Sequence, residues 1–341
     1  MRDTAAVRRG EELDAAALSK YLGTEVAIEQ FPGGHSNLTY LLRMTGRELV
    51  LRRAPLGPVA PKAHDMAREY HVLEKIHPLF PAAPNVYLLC EDPSVIGAVF
   101  YLMERRTGIV VRESVPAELS RHQDYAARAS RAFLDTLVEL HSVDIERHGL
   151  AALGKPEGFL ERQVRGWADR WNRAKTGDSP LMDGVIAWLR DSLPVSGTPA
   201  IVHNDYKLDN VMFNADDPGR IEAVLDWEMA TVGDPLADLG LTLCYWTVGG
   251  ATAGETMHWC SREELIERYA AKTGRDVSGI RYYEVLGVFK LAVIIQQIYF
   301  RYVRRQTQDE RFASFGERVR DLIDRATALV EGGRSGAGGS V

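Results

Sequence analysis

The residues with the most informative chemical pattern lie in a short polar loop between two apolar segments. The stretch reads Ile-Val-His-Asn-Asp-Tyr-Lys-Leu-Asp-Asn-Val-Met-Phe over residues 201–213. A second apolar run, Ala-Val-Leu, ends in Asp226, sixteen residues after Asn210. Two strands that brought Asp205, Asn210 and Asp226 to one edge would create an oxygen-rich site. Hard divalent cations such as Mg²⁺ prefer such sites and keep water and substrate phosphates as further ligands.

The spacing of these residues matches that of the catalytic and metal loops of kinases. His-x-Asp-x-x-x-x-Asn, followed by an Asp at a strand end, is the kinase arrangement. In it the first Asp accepts the proton of the attacking hydroxyl, while the Asn and the later Asp hold Mg²⁺ against the phosphates. Taken singly, Asp205 and Asp209 could cap turns, and His203 could be a core histidine. The four-part pattern favours the catalytic interpretation over these structural ones.

The composition is that of an ordinary globular protein with more than one core. With 341 residues the chain exceeds what one hydrophobic core usually fills, so two domains or lobes are expected. Hydrophobic residues make up 45% and charged residues 26%, which argues against a disordered, collagen-like or fibrous chain. The net charge of −6 does not favour a general binder of nucleic acids or other polyanions.

The cysteines and the apolar segments favour a soluble protein of the cytoplasm. The three cysteines include no Cys-x-x-Cys pair, so neither a disulfide framework nor a zinc knuckle is expected. Residues 1–10 are charged with no apolar stretch behind them, so no secretory signal is predicted. The most apolar helix candidate, Val285–Phe300, contains Lys290 and two glutamines and is expected to be too short and too polar to span a bilayer. We therefore expect no membrane association and no nucleic-acid partner.

Hydrophobic periodicity divides the chain into a β-rich beginning and a helical remainder. Short apolar runs separated by turn residues predict strands over residues 26–28, 38–42, 49–51, 86–89 and 99–103. Helical spacing predicts helices over residues 11–21 and 63–76 in the same region. Six further helices are predicted over residues 125–141, 158–173, 182–192, 262–272, 281–304 and 311–330.

This division predicts two lobes and a short tail. Residues 1–104 are assigned to an amino-terminal nucleotide-binding lobe, and residues 105–331 to a carboxy-terminal helical lobe with the catalytic and acceptor-binding residues. The joint between them is placed near Glu104–Gly108. Residues 332–341 are rich in Gly and Ser and are expected to form a disordered tail.

Motifs spread over about residues 30–240 resemble those of the aminoglycoside phosphotransferase family. They are Gly33-Gly34-His35-Ser36-Asn37, Val50-Leu51-Arg52-Arg53, Arg68-Glu69-Tyr70, Leu102-Met103-Glu104, the loop 203–210, and Leu225-Asp226-Trp227-Glu228 running into residues 233–239. Within the family, the chain is most similar to the kinase-like domains fused to acyl-CoA dehydrogenases. The resemblance implies an α+β fold of the protein-kinase type. Such a fold is bilobal, with a small antiparallel β-sheet lobe that contains one helix and a larger, mainly helical lobe.

The resemblance also implies an enzyme, an ATP- and Mg²⁺-dependent phosphotransferase that acts on an alcohol acceptor. Carried over residue by residue, the family roles make Asp205 the catalytic base and make Asn210 and Asp226 the metal ligands. Lys207 could offset charge on the transferring phosphoryl group, or it could be a solvated loop lysine. Asp238 is expected to brace the catalytic loop through backbone N–H groups, or to cap the helix that begins there.

Two groups of residues in the amino-terminal lobe are expected to bind the phosphates of the nucleotide. Gly33 and Gly34, with Ser36, would let backbone N–H groups approach phosphate oxygens, although a hairpin turn explains two glycines equally well. Arg52 stands where kinases usually have lysine. It would contact the α- and β-phosphates and would be held by Glu69 from the following helix.

The remaining nucleotide contacts are expected at the joint between the lobes. Met103 would form an apolar wall for the adenine, although core packing explains this residue equally well. Glu104 and Arg105 would serve through their main chain. Arg53, next to Arg52, should point to the opposite face of its strand and be solvated.

The acceptor pocket is expected to be lined by helices that follow Gly240. A site for polycationic aminoglycosides needs several carboxylates, but residues 241–256 are apolar, small and nearly uncharged. We therefore expect a small-molecule acceptor with a hydroxyl group and an apolar part, such as a hydroxyacyl compound or its coenzyme A thioester. The core of a helical lobe is an equally good interpretation of these residues.

Two alternative functions remain open at this point. One is an aminoglycoside or other antibiotic O-phosphotransferase, and the other is a non-catalytic nucleotide-binding pseudokinase module. A nicotinamide-dependent enzyme with a doubly wound fold is excluded. The turn at Gly33-Gly34 lacks the Gly-x-Gly-x-x-Gly spacing that such a fold needs.

Overall fold

The structure of the chain is a computed structural model that describes residues 3–32, 37–56, 64–112, 114–248, 259–307 and 309–332. It contains two compact units. The first unit holds the described residues of Met1–Val111, with Pro116–Tyr125 and Asp209–Ala230, and the second holds the other described residues. The predicted glycine turn at Gly33, Gly34 and Ser36 lies outside the described residues, as do residues 333–341 of the predicted tail. The assignment of residues 1–104 and 105–331 to two lobes remains a prediction.

The first unit is built on a five-stranded antiparallel sheet with the order β1-β2-β3-β5-β4. Alternate residues of its strands, among them Tyr40, Leu51 and Phe100, are buried together with Leu18 of the first helix. This period of two is what a pleated strand requires, and it leaves the other face of the sheet for different partners. The strands are β1 Ala27–Gln30, β2 Leu38–Met44, β3 Arg47–Arg53, β4 Val86–Cys90 and β5 Phe100–Glu104.

Two helices accompany this sheet, and each begins at an aspartate. Helix α1 (Ala15–Leu22) begins after Asp14, whose side chain accepts a hydrogen bond from the N–H of Ala17. Helix α2 (Met66–Ile76) begins after Asp65, which accepts from the N–H of Arg68 at 3.0 Å. An aspartate at this position satisfies backbone donors that the helix leaves unpaired. The cap therefore sets where α2 starts and places Arg68 and Glu69 in its first turn.

A second, three-stranded sheet in the first unit carries the segment that follows the polar loop. Strand β8 (Val211–Phe213) lies between β6 (Ile109–Val110) and β9 (Ile221–Val224). All pairings are antiparallel, and Val211 lies opposite Val224. Asn210 therefore precedes β8, and Asp226 follows β9, at the same end of the strand pair.

The second unit is mainly helical and contains one short strand pair, in which β7 (Ala200–Val202) is antiparallel to β10 (Thr231–Gly233). Helix α5 (Phe159–Ala174) buries one face, with buried residues three and four apart, whereas α9 (Ile280–Val303) is buried on all sides over residues 282–290. The long helix α9 packs against α5, α7 and α10. After the short α3 (Ala117–Ser120) in the first unit, the helices are α4 Tyr125–His141, α5 Phe159–Ala174, α6 Pro180–Asp191, α7 Leu236–Val248, α8 Arg262–Thr273, α9 Ile280–Val303 and α10 Phe315–Glu331.

Most predicted elements are present with shifts of a few residues at their ends. Helix α4 has the predicted bounds, because its apolar residues recur at helical spacing over the whole predicted range. The helix predicted from Arg311 instead begins with a short 3₁₀ turn, and α10 starts at Phe315. The short β6, α3 and β10 were not predicted, because two to four residues are too few to show a period.

The most apolar helix was expected to be too short and too polar to span a bilayer, and this expectation about its length and polarity is wrong. Helix α9 is long and apolar enough to cross a membrane, judged by length and composition alone. Its most apolar stretch of 18 residues is 67% buried inside the protein, and the core helix of a soluble protein can have the same length and composition. Lys290 did not interrupt the helix, since burial against neighbouring helices outweighs the local polarity of one residue.

Helices α7 and α9 approach each other closely at a glycine. A Cβ atom on Gly240 would lie 2.4 Å from the backbone carbonyl carbon of Tyr283, a distance that real Cβ atoms do not reach. The two backbones can come this near only because Gly240 has no side chain. The contact also fixes the position of Asp238, which lies two residues before Gly240 in the same helix.

We predict that Gly240→Ala destabilises the protein. Extra volume in a close-packed helix contact typically costs about 1–3 kcal/mol. The matched control is Gly184→Ala in α6, where an added Cβ meets no atom within 4 Å. That change should leave stability unchanged or raise it by about 0.4–1 kcal/mol. Urea unfolding followed by circular dichroism measures both variants, and a Gly240→Ala protein as stable as the control would contradict the proposed contact.

Candidate active site

The predicted catalytic loop begins in the second unit, directly after β7. His203 is fully buried, and the next residue, Asn204, has a φ of 65° in the left-handed region. Asparagine tolerates this conformation better than most residues other than glycine. The strained residue turns the chain sharply between the buried His203 and Asp205. Strain of this kind is concentrated at functional sites, where the surrounding structure must hold it in place.

A buried carboxylate holds this turn. Asp238, in the first turn of α7, accepts hydrogen bonds from the backbone N–H groups of His203 at 2.5 Å and Asn204 at 2.6 Å. Burial alone would raise the pKa of Asp238, but the hydrogen bonds from His141 and from the backbone of His203 lower it overall. The carboxylate is therefore ionised and fully buried. The prediction that Asp238 braces the catalytic loop through backbone N–H groups agrees with this geometry.

His141 at the end of α4 completes the support of the loop. Its Nε2 lies 3.4 Å from Asp238 Oδ2, and its Nδ1 lies 2.8 Å from the hydroxyl oxygen of Tyr269. Burial lowers the pKa of His141, against the opposing effect of Asp238. A neutral imidazole that donates from Nε2 to the carboxylate and accepts at Nδ1 from Tyr269 satisfies both contacts. The sequence analysis gave His141 no role, because nothing in its local pattern links it to the loop.

Asp205, the predicted base, is partly exposed, and polar side chains lie next to its carboxylate. Lys207 places its ammonium 2.9 Å from Asp205 Oδ2, and the Tyr245 hydroxyl lies 3.4 Å from Oδ1. The same ammonium lies 5.2 Å from the centroid of the Tyr245 ring. Lys207 is therefore not simply a solvated loop lysine, since it is paired with the carboxylate of Asp205. Tyr245 was not predicted as a site residue.

The predicted acceptor segment divides into core and site residues. Leu241, Leu243, Cys244 and Trp246 are buried, which fits the alternative that this segment is the core of a helical unit. Tyr245, beside Asp205, is only half-buried. Residues 249–258, the rest of the segment, lie outside the described residues.

The predicted metal ligands meet in the first unit. The backbone N–H of Leu225 donates to the carbonyl oxygen of Asn210 at 2.7 Å, so the two loops are joined at the end of the β8–β9 pair. Asp226 follows with a φ of 68°, again in the left-handed region, and its side chain is 27% exposed. Asp226 is thus a second residue with a strained backbone, and its carboxylate is accessible.

Arg52 lies between two carboxylates of the first unit. Its guanidinium is 3.4 Å from Glu69 Oε1 and 3.0 Å from Asp226 Oδ1, and both Arg52 and Glu69 are buried. Burial raises the pKa of Glu69 to about 7, with Arg52 opposing this shift and the charges of Asp226 and Glu228 adding to it. The predicted pairing of Arg52 with Glu69 is therefore present in the structure. The contact with Asp226 was not predicted.

The first turn of α2 also binds the loop after Asp226. Arg68 donates to the carbonyl oxygens of Glu228, at 2.7 Å, and of Ala230. Glu69 accepts from the backbone N–H of Trp227 at 3.2 Å. Two consecutive residues of α2 thus hold both the guanidinium of Arg52 and the backbone that carries Asp226.

Glu228 belongs to a small polar cluster. Its Oε2 accepts from the Asn37 amide at 3.0 Å and lies 3.4 Å from Nδ1 of His64. Burial, followed by the charge of Asp226, raises the pKa of Glu228. The charge of Asp226 therefore disfavours the ionised form of Glu228, an effect that a bound cation would relieve.

The residues predicted at the joint form structural contacts. Met103 is buried, and the backbone N–H of Glu104 donates to the carbonyl oxygen of Asn85 at 2.7 Å. Arg105 pairs with Glu48 and, at 2.9 Å, with Asp3. The main-chain contact with adenine that was predicted for Glu104 and Arg105 stays a prediction.

The prediction for Arg53 is wrong. Its side chain is buried rather than solvated, and it donates to the carbonyl oxygen of Ile96 at 3.2 Å. Strand alternation correctly sets Arg53 and Arg52 on opposite faces, but both faces of β3 are covered.

The oxygen donors suit Mg²⁺ better than a metal held entirely by protein. Over the described residues, no three His, Cys, Asp or Glu side chains are arranged to hold a metal ion. Mg²⁺ in nucleotide sites usually takes one or two carboxylates and completes its shell with phosphates and water. The accessible carboxylate of Asp226, next to Asn210, fits this requirement.

Comparison with known proteins assigns the chain to a family. Residues 27–283 match the model of the phosphotransferase enzyme family, abbreviated APH, which covers well over half of the chain. The chain belongs to this family. Its fold and its enzyme class, a phosphotransferase, follow from that membership.

Relatives of this phosphotransferase include parts of larger proteins. It is 31% identical to acyl-CoA dehydrogenase family member 11 of Gallus gallus, over 96% of the chain and 44% of that protein. It is 32% identical to acyl-CoA dehydrogenase family member 10 of Mus musculus, over 95% of the chain and 32% of that protein. The chain thus spans less than half the length of these relatives. The expected similarity to kinase-like domains fused to acyl-CoA dehydrogenases is confirmed.

Solved structures confirm the protein-kinase-like α+β fold of the phosphotransferase. A Ralstonia eutropha protein assigned to the aminoglycoside phosphotransferases is 28% identical, with a TM-score of 0.79 over 94% of this chain and 99% of that one. The GDP complex of aminoglycoside 2′-phosphotransferase-IIIa is 15% identical, with a TM-score of 0.59 over 91% and 96% of the two chains. The second likeness concerns the fold alone.

We predict that His141 makes the stability of the phosphotransferase fall at mildly acidic pH. Below its ordinary value of 6.5, the histidine of the unfolded chain takes up a proton, whereas the folded protein resists protonation because its pKa is lowered. Since the unfolded state then binds more protons, the free energy of unfolding decreases as the pH falls through this range. His141→Gln should flatten the decrease.

The measurement is urea unfolding at about pH 7.5 and about pH 5.5, the two sides of the titration of an unfolded histidine. The matched control is His148→Gln, because His148 is exposed in the same unit. The control should keep the pH dependence of the natural protein. An equal pH dependence in all three proteins would contradict the assignment to His141.

Proposed function

We propose that the protein transfers the γ-phosphoryl group of ATP to a hydroxyl of a small molecule, with Mg²⁺ as cofactor. The observation that carries the proposal is the junction of Asn210 with Leu225, which sets Asn210 and Asp226 side by side. Asn210 lies five residues after Asp205, the spacing of kinase catalytic loops. Asp205 itself is partly exposed and lies on a loop whose backbone N–H groups donate to Asp238.

In the proposed reaction, Asp205 accepts the proton of the acceptor hydroxyl. The hydroxyl oxygen forms a bond to the γ-phosphorus, the bond from that phosphorus to the β–γ bridging oxygen breaks, and ADP leaves. Positioning and charge neutralisation account for most of the catalysis in such transfers. Lys207, paired with Asp205, supplies a positive charge next to the attacking oxygen.

Asn210 and Asp226 are the residues that would hold Mg²⁺, which when bound neutralises charge on the phosphates. Arg52 would contact the phosphates, and Glu69 supports its position through their ion pair. Arginine keeps its charge at any working pH and can form two hydrogen bonds with phosphate. The departure from the usual lysine is therefore compatible with a phosphate-binding role.

The proposed acceptor is a hydroxyacyl compound or its coenzyme A thioester. The names of the relatives that carry an acyl-CoA dehydrogenase support this choice. The described part of α7 offers apolar residues and Tyr245 near Asp205, rather than the carboxylates that a polycation needs. The three cysteines are free, which supports the proposal of a cytoplasmic enzyme.

A panel of acceptors tests the proposed function. The protein is incubated with Mg²⁺ and ATP and with hydroxyacyl acids, their coenzyme A thioesters or aminoglycosides, and products with an added phosphate are identified by mass spectrometry. We expect transfer to hydroxyacyl compounds. Transfer to aminoglycosides alone would refute the acceptor class. Magnesium-dependent ATP binding without transfer to any acceptor would favour a pseudokinase module.

We predict different defects for two carboxylate variants. Asp205→Asn should lower transfer by orders of magnitude but leave Mg²⁺–ATP binding nearly unchanged, because the base is not the principal metal ligand. Asp226→Ala should lose metal-dependent ATP binding. Transfer rates and calorimetric ATP titrations with and without Mg²⁺ measure the two effects.

The matched control for both variants is Asp216→Asn. The side chain of Asp216 is 90% exposed and pairs with Arg121, so it should behave as the natural protein in both assays. A similar loss of ATP affinity in the Asp205 and Asp226 variants would show that the roles are wrongly assigned.

A further inference from the structure

Helix α7 binds the backbone of the catalytic loop at two successive turns. Asp238, in its first turn, accepts hydrogen bonds from the backbone N–H groups of His203 and Asn204. One turn later, the hydroxyl of Thr242 donates to the backbone carbonyl oxygen of Tyr206 at 3.0 Å. Both Thr242 and Tyr206 are buried, so this hydrogen bond is shielded from water. The loop backbone is therefore bound to α7 just before and just after the proposed base.

Tyr245 lies on the same face of α7, one turn after Thr242. Positions 238, 242 and 245 are spaced four and three residues apart, so their side chains lie one above the other on the helix. The hydroxyl of Tyr245 donates to Asp205 Oδ1 at 3.4 Å. Catalytic hydrogen bonds are often long before the substrates bind and shorten in the reacting complex. The same face of α7 thus contacts the carboxylate of the base as well as the backbone around it.

Tyr245 also contacts the cation that is paired with the base. The ammonium of Lys207 lies 2.9 Å from Asp205 Oδ2 and 5.2 Å from the centroid of the Tyr245 ring. A cation near the face of an aromatic ring is attracted by the negative charge of that face. The last side-chain torsion of aspartate has no sharp preference of its own. Contacts from two elements, a hydroxyl on α7 and an ammonium on the loop, therefore restrict the rotation of the Asp205 carboxylate.

We propose that Tyr245 is a positioning residue for the phosphoryl transfer. Its hydroxyl, and its ring through the Lys207 ammonium, hold the carboxylate of Asp205 in the orientation that accepts the proton of the acceptor hydroxyl. A reacting group that is already oriented loses less entropy in the transition state, which lowers the barrier. The inference rests on the proposed transfer to a hydroxyl but not on the class of acceptor, since any acceptor delivers its proton to the same carboxylate.

Substitutions at Tyr245 separate the effect of its hydroxyl from that of its ring. Tyr245→Phe removes the hydroxyl and keeps the ring beside Lys207, whereas Tyr245→Leu removes both. The matched control is Tyr302→Phe, because the Tyr302 hydroxyl also donates to a carboxylate, that of Glu310, at 2.8 Å. Transfer rates are measured with a hydroxyacyl acid and with an aminoglycoside as acceptors, and Mg²⁺–ATP binding is measured by calorimetry.

We expect Tyr245→Phe to lower kcat by about tenfold, which corresponds to the lower end of the strength of a hydrogen bond to a charged group. Tyr245→Leu should lower kcat further, because the Lys207 ammonium then loses its ring contact as well. KM for the acceptor and the affinity for Mg²⁺–ATP should change little in both variants. Tyr302→Phe should behave as the natural protein.

A double-mutant cycle tests whether Tyr245 acts through the base. When Asp205 is already replaced by Asn, Tyr245→Phe should change the remaining transfer by less than about twofold, because no carboxylate is left to orient. The remaining transfer is followed with radiolabelled ATP. If the losses of the two single variants multiply in the double variant, Tyr245 acts independently of Asp205 and the proposal is wrong.

A natural value of kcat in Tyr245→Phe would also overturn the proposal. So would a defect confined to KM for the acceptor, which would make Tyr245 part of the acceptor site instead. Thermal unfolding of each variant separates these losses from misfolding, and Tyr245→Phe decides the question if Tyr245→Leu does not fold. Absence of transfer by the natural protein to any hydroxyl acceptor would refute the proposed function itself, and this inference with it.

Discussion

The buried carboxylate of Asp238 is the interaction on which the catalytic loop depends. Two backbone N–H groups, those of His203 and Asn204, donate to it where the chain leaves β7 and turns through a left-handed residue. Hydrogen bonds to an ionised acceptor are about twice as strong as neutral ones, and they compensate for burying the charge. The support of His141 keeps the carboxylate in one orientation. Without this group the turn that precedes Asp205 would lose two backbone hydrogen bonds to a charged acceptor.

A comparable constraint acts in the first unit, where negative charge is concentrated around Arg52. Burial and the charge of Asp226 raise the pKa values of Glu69 and Glu228, and the guanidinium of Arg52 only partly offsets these shifts. Such an arrangement is expensive for folding alone, but it suits a site that receives a cation with its phosphates. Arg68 keeps the backbone that carries Asp226 in place. The same cluster of carboxylates therefore lowers stability and makes the site suitable for binding a cation.

Membership in the phosphotransferase family explains why these two arrangements occur in one chain. The family supplies the chemistry, whereas the acceptor depends on residues around Asp205. In this chain those residues include Tyr245 and Lys207. A positive charge beside the base is a poor environment for a polycation. This electrostatic argument agrees with the apolar character of α7 but does not depend on it.

Hydrophobic periodicity and motif spacing along the sequence predicted most of the secondary structure and the two loops of the site. The strand and helix periods located nearly all of the longer elements, because an amphipathic period persists over many residues. The spacing of Asp205, Asn210 and Asp226 identified the two loops, since kinase chemistry needs those side chains at fixed offsets. The same local reasoning failed for Arg53, because the burial of a strand face depends on what packs against it.

The sequence by itself determined the chemical types in the two loops, their order, and the elements that flank them. Only the tertiary structure decided that Asp238 accepts hydrogen bonds from the catalytic loop and is supported by His141, and that Asp226 contacts Arg52. These contacts join residues far apart in the chain. Periodicity describes which face of an element is buried, but it carries no information about which distant side chain is packed against that face.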